Sequence, residues 1–185
     1  MAAKRSETRQ GTDYWILAAS FVPAAALTWT IHELAHYFAG MLLGYDMWVS
    51  INQAGPVNGS FDSDTHSVIV AMAGPVITWL QGIVAYVVVR WSRELWTYSF
   101  IFLTFWMRSV AMIISFIAHP NDEAKASLLM NLPMWVLPAI STCLLLVFTF
   151  LAARELKAGW RENLIAFVAS SVATAAIVFA DQLLF

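Results

Sequence analysis

Long apolar runs, separated by short polar stretches, dominate the chain. Five of them approximate or exceed the roughly 20 residues that cross a hydrocarbon core: Tyr14–Leu43, Ser67–Trp91, Leu95–Ala118, Met134–Leu156 and Leu164–Phe185. In lipid a helix satisfies its own backbone N–H and C=O groups, so all five are predicted to be helices. Pro23 predicts a kink in the first. That run is too long for the apolar core of a signal peptide and no clear cleavage site follows it, so it is expected to be retained. Two longer polar connections remain. Gly44–His66 is rich in Gly, Asn, Asp and Ser, and its stretch Met47–Ile51 alternates weakly before the turn signals Gly55-Pro56 and Asn58-Gly59. This pattern predicts a short β-hairpin. The other connection, His119–Pro133, contains His119-Pro120-Asn121-Asp122-Glu123. The expected fold class is all-α integral membrane, with about five transmembrane helices and a short hairpin. Residues 1–185 are treated as a single transmembrane domain.

Composition sharpens this reading. Hydrophobic residues make up 60% of the 185 residues and charged residues 12%, with a mean hydropathy of +0.68. Soluble domains carry about 25% charged residues, so this chain could not coat a water-exposed surface. The formal net charge of −2 would repel phosphate, and no nucleic-acid partner is expected. Cys143 is the single cysteine, which excludes an intrachain disulfide.

The basic residues set an expected orientation. Lys4, Arg5, Arg9, Arg90, Arg93, Arg154, Lys157 and Arg161 fall on one side of the predicted membrane and Lys125 alone on the other. Eight against one predicts a cytoplasmic N-terminus and an outside C-terminus, with both long connections outside. Trp15, Trp48, Trp91, Trp96, Trp135 and Trp160 lie near span ends, as interfacial anchors do.

Chemistry concentrates in His32-Glu33-Leu34-Ala35-His36 on the first span. Helical positions i and i+4 share a face, so both imidazoles can meet one metal ion. Glu33, next to the first histidine, can reach a metal-bound water as general base. Three ionisable groups within five residues of a span need a compensating partner, and one metal ion supplies it. Catalytic zinc usually takes three protein ligands and leaves one position open. The third span also runs outward, delivering Asp122 to the same face; its neighbour Glu123 is the alternative donor. Depth is the difficulty, because His36 lies about 10 Å below the end of its helix at a 1.5 Å rise per residue. The Asp122 loop must dip inward, or the third helix must end early. His66 and His119 are expected to be solvated and Asp181 interfacial. Mid-span Arg108 needs a partner, either Glu33 or Asp122, or stabilises an oxyanion. Gly40, Gly74 and Gly82 are expected to serve close helix packing.

His32–His36 on an early span, Ala73-Gly74-Pro75 on the next and Asp122 after the following one together resemble the site-2 proteases, membrane-embedded zinc metalloproteases, in their small bacterial form. Asn121-Asp122-Glu123 through Asn131-Leu132-Pro133 is similar to their third-ligand region. The resemblance covers about Trp29 to Pro133, with a metalloprotease-like core at 14–133 and additional helices at 134–185. It implies one zinc ion per chain held by His32, His36 and Asp122, with Glu33 activating water to hydrolyse peptide bonds of membrane-associated or transmembrane substrates. It also implies a bacterial plasma membrane. Three departures stand out. Thr78 occupies a position where the family often has asparagine, Asp122-Glu123 replaces Asp-Gly, and charge counting puts the site near the outside rather than the cytosol. The alternative reading is a non-proteolytic membrane subunit, alone, homo-oligomeric or with a partner, that keeps the metal site for structure or binding. Intact Glu33 argues against it, since a structural site has no need of a general base. Di-iron lipid oxidation needs more ligands than four histidines supply. If the substrate is cut as an extended segment, Met47–Ile51 is positioned to pair with it by strand addition.

Overall fold

The computed structural model describes the backbone of residues 2–185 and the side chains from residue 13 to residue 185. Lys4, Arg5 and Arg9, used above for orientation, have side chains outside the described set. Among the described residues there are six α-helices: α1 (Ala2–Leu42), α2 (Asp64–Ser92), α3 (Tyr98–Ile117), α4 (Asp122–Leu129), α5 (Val136–Leu156) and α6 (Trp160–Leu184). Five of these are long and apolar enough to cross a membrane, α1 from Asp13 onward and α3 with the 3-10 turn Leu95–Thr97 ahead of it. The chain is therefore a multi-pass membrane protein. Pro23 lies inside α1 without interrupting it. The expected hairpin forms between β1 (Met47–Val49) and β2 (Ala54–Pro56), antiparallel, with Trp48 opposite Gly55.

The helix limits follow local chemistry. Ser63 begins α2 by accepting a hydrogen bond from the His66 backbone N–H at 3.2 Å, which satisfies one of the free amides of the first turn. At their C-termini, α2 and α5 close on Arg93 and Lys157 in the left-handed conformation. The ends of α2 and α5 meet, since Arg93 contacts Glu155 at 3.1 Å. The start of α3 is also there, its preceding turn held by Ser20 of α1, whose hydroxyl donates to the Trp96 carbonyl at 3.1 Å. This is the basic end of the bundle.

The two halves of the bundle differ. Towards the basic end a dry cluster of Leu17, Phe21, Val89, Tyr98, Ile101 and Leu103 fills the centre. Helix association in lipid rests on such close packing, because lipid tails are as apolar as the side chains themselves. The other half holds the polar residues and a cavity of about 670 Å3. The last two helices do more than add apolar length: α5 packs on α2, α3 and α4, and α6 on α1 and α3.

Helix α4 was not expected as a helix, and it resolves the depth problem. After α3 the chain turns back along it. Asn121 precedes α4 and is tied to α3: its backbone N–H donates to Ser115 Oγ at 3.1 Å and its side-chain Nδ2 to the Ala111 carbonyl at 3.2 Å. The short helix then packs against α2 and α5. It ends where Asn131 adopts a positive φ of 58°, letting the Leu132 N–H donate back to the Ser127 carbonyl at 2.9 Å. Asp122 thus reaches inward past the end of α3, and α3 keeps its full length.

Candidate metal centre

His32 and His36 lie on one face of α1, and α4 brings Asp122 against them. His32 Nε2 is 3.1 Å from His36 Nε2 and 3.1 Å from Asp122 Oδ2, and His36 Nε2 is 3.5 Å from the same oxygen. Both histidines are buried. Two metal bonds of about 2.0–2.1 Å at the tetrahedral angle leave their donor atoms about 3.3–3.4 Å apart. The three separations straddle that value.

The surroundings fix which ring nitrogens carry protons. His36 Nδ1 donates to the Val70 carbonyl at 2.6 Å. Thr78 spends its hydroxyl proton on the Gly74 carbonyl at 3.0 Å, so at 2.9 Å it accepts from His32 Nδ1. Both protons therefore sit on Nδ1, and both Nε2 atoms present lone pairs to each other and to a carboxylate oxygen. One proton can bridge two of these three atoms; a metal ion can bind all three at once. Hydrogen bonds from the far nitrogen to a carbonyl or hydroxyl are also how metal-bound histidines are usually oriented. The group formed by His32, His36 and Asp122 could hold a metal ion.

Gly74 completes the fit. It lies about 15 Å along α2 at a 1.5 Å rise, inside the helix rather than at its opening. A Cβ at this position would collide with His36 Nε2 and stand 2.6 Å from His32 Nε2. The absent side chain makes room for the two imidazoles, so this glycine serves the site and not helix packing alone.

Glu33 is buried and borders the cavity beside the three donors. Among the described residues it has no hydrogen-bonding partner, which leaves its carboxylate available to a molecule in the cavity. The rival donor Glu123 is elsewhere. It is buried and meets Arg108 Nη1 at 3.2 Å, while the same Arg108 nitrogen contacts Asp122 Oδ2 at 3.2 Å. Arg108 therefore partners the acidic pair on α4 and not Glu33. Around the triad, Asp122 and Glu123 share the one guanidinium of Arg108, and Lys125 borders the same cavity.

Other residues fall differently from expectation. Asp181 is buried rather than interfacial; its Oδ1 accepts from the backbone N–H groups of Ile51 and Asn52 at 2.9 and 3.2 Å. Asn52 Oδ1 in turn accepts from Trp29 Nε1 at 2.8 Å. The hairpin is thus tied to α6 and α1, and α6 adds Thr174, Val178 and Gln182 to the cavity wall. His66 pairs with Tyr45 at 2.7 Å. His119, by contrast, is exposed as expected, and it borders the cavity. Thr78 is fully buried and hydrogen-bonds His32 Nδ1. Its hydroxyl four residues after Gly74 was the one sequence signal for that role.

No protein-family model matches the chain, and no curated protein or solved structure matches it.

Proposed function

We propose that this protein is an intramembrane metalloprotease of the site-2 type, with zinc as the metal. The observation that carries the reading is the convergence of three donor side chains, His32, His36 and Asp122, beside a Glu33 without a hydrogen-bonding partner among the described residues, in one cavity. The donor set, two imidazoles and one carboxylate, suits zinc. When bound, such a metal supplies Lewis acidity, polarising a carbonyl and bringing the pKa of a coordinated water to about 7.

The chain's own residues do the rest. Glu33 takes the proton from the attacking water and returns it to the leaving amine. Thr78 and the Val70 carbonyl hold the imidazoles in the required tautomer, and Arg108 steadies the Asp122 carboxylate. The cavity walls shield the reaction from lipid. A helical substrate hides its carbonyls in its own hydrogen bonds, so the scissile segment must be extended. The hairpin offers a strand edge for it, with Gln53, Ala54 and Pro56 of the β2 side and Trp48 of β1 bordering the cavity. Pairing there involves β2 more than the Met47–Ile51 stretch. The basic end of the bundle faces the cytoplasm in this account, of a bacterial plasma membrane, and the metal centre opens towards the outside.

The test is Glu33→Gln. Peptide-bond cleavage of a transmembrane substrate should fall below detection while the metal stays bound, because glutamine keeps the shape but cannot accept the proton. Cleavage at the wild-type rate would rule the mechanism out.

A further inference from the structure

A second concavity lies at the opposite end of the bundle from the metal centre. It has a volume of about 480 Å3 and runs between α3, α5 and α6. Its apolar wall is formed by Phe102, Phe105, Leu146 and Phe150, and its mouth carries Arg154 and Lys157. Among the described residues neither cation makes an ion pair, whereas Arg90 and Arg93 at the same end are engaged by Glu155. Arg154 instead lies over the Phe150 ring, 5.9 Å from its centre. Behind the mouth, Tyr98 donates to Asn163 Oδ1 at 2.9 Å, and Asn163 Nδ2 donates to the Gly159 carbonyl at 2.7 Å.

The dimensions and the charge fit one kind of molecule. From Lys157 to Leu146 along α5 is about 16 Å at a 1.5 Å rise. Half of a bilayer's hydrocarbon core is about 15 Å. The groove therefore starts among headgroups and ends near mid-membrane, the path of one acyl chain. Two cations at the headgroup level, neither paired with a described carboxylate, attract a phosphate. A zwitterionic headgroup would bring its own cation against them.

We propose that this groove binds one anionic phospholipid, with an acyl chain along Phe102, Phe105, Leu146 and Phe150 and the phosphate at Arg154 and Lys157. The site is independent of the metal centre and does not rest on the protease reading. Phosphatidylglycerol and phosphatidylcholine are titrated separately onto the purified full chain in detergent, and bound lipid is counted by native mass spectrometry. The wild type should retain one phosphatidylglycerol in preference to phosphatidylcholine. R154A combined with K157A should weaken that binding roughly 25-fold, taking about fivefold for each cation. Ala153→Phe, which fills the groove without touching the charges, should abolish the preference. Arg90→Ala with Arg161→Ala, at the same end but outside the groove, should leave it unchanged. Equal retention of the two lipids by the wild type would overturn the proposal. So would an equal loss in the control pair, which would mean that general surface charge does the work. Should the R154A/K157A protein fail to fold, Ala153→Phe decides, because unaltered binding in that variant excludes the groove.

Discussion

Replacing Gly74 with alanine adds a single methyl group at the most crowded point of the metal centre. Its carbon would stand 2.5 Å from His32 Cε1 and 2.6 Å from His32 Nε2, and closer still to His36 Nε2. Ordinary contact begins at 3.4 Å, so the His32 ring would have to retreat by about 0.9 Å and the His36 ring by more. A metal site tolerates ligand displacements of about 0.2 Å. The rings cannot swing away freely, because Thr78 and the Val70 carbonyl hold their far nitrogens. Metal affinity in Gly74→Ala should therefore fall at least about 100-fold, the upper range seen when supporting interactions of metal ligands are removed. The cost to folding should be about 1–3 kcal/mol, as for other overpacked interiors. Gly82→Ala is the matched control on the same helix. There the added carbon meets Leu145 Cδ2 at 2.5 Å, the end of a flexible side chain far from the donors. Affinity is read by competition with a chelator of known strength, and stability by thermal unfolding of the metal-free protein. Wild-type affinity in Gly74→Ala, or an equal loss in Gly82→Ala, would refute the reasoning.

Two further substitutions probe the surroundings of the donors. Thr78→Val keeps the volume but removes the acceptor for His32 Nδ1, so metal affinity should drop about 10- to 100-fold; an unchanged chelator competition curve would show that Thr78 orients nothing. Arg108→Met leaves Glu123 buried without its partner and should destabilise the protein by about 3–5 kcal/mol, measured by denaturant unfolding in detergent. Adding Glu123→Gln should recover part of that loss, and a double variant as unstable as the single one would mean that the pair does not act together.

Much of this architecture is legible in the sequence, for a physical reason. Each spanning helix is specified by its own composition, and the lipid phase leaves few other backbone solutions. The pairing of His32 with His36 is equally local, since both lie one turn apart on the same helix. What the sequence hides depends on tertiary packing. That Asp122 and not Glu123 meets the histidines follows from the fold-back of Asn121 onto α3 and the docking of α4 against α2. The polar run His119–Pro133 does not announce either. Arg108 was expected to have a partner, but its choice of the α4 carboxylates could not be read from spacing. Asp181 looked interfacial because it lies near a helix end; its role in holding the hairpin depends on residues about 130 positions earlier. Gly74 resembled an ordinary packing glycine until the two imidazoles were seen to fill its missing side chain.

The central claim is that His32, His36 and Asp122 form one metal site, and metal content per chain tests it most directly. Wild type, His36→Ala, Asp122→Ala and Glu123→Ala are purified in the folded state, offered zinc, freed of loosely bound ions and measured by elemental analysis. The account predicts about one zinc per chain in wild type and in Glu123→Ala, where the altered residue faces Arg108, and almost none in the other two. Zinc retained by Asp122→Ala but lost from Glu123→Ala would move the third ligand by one residue and contradict the geometry. No zinc in correctly folded wild type would contradict the site itself, and the proposed protease mechanism with it.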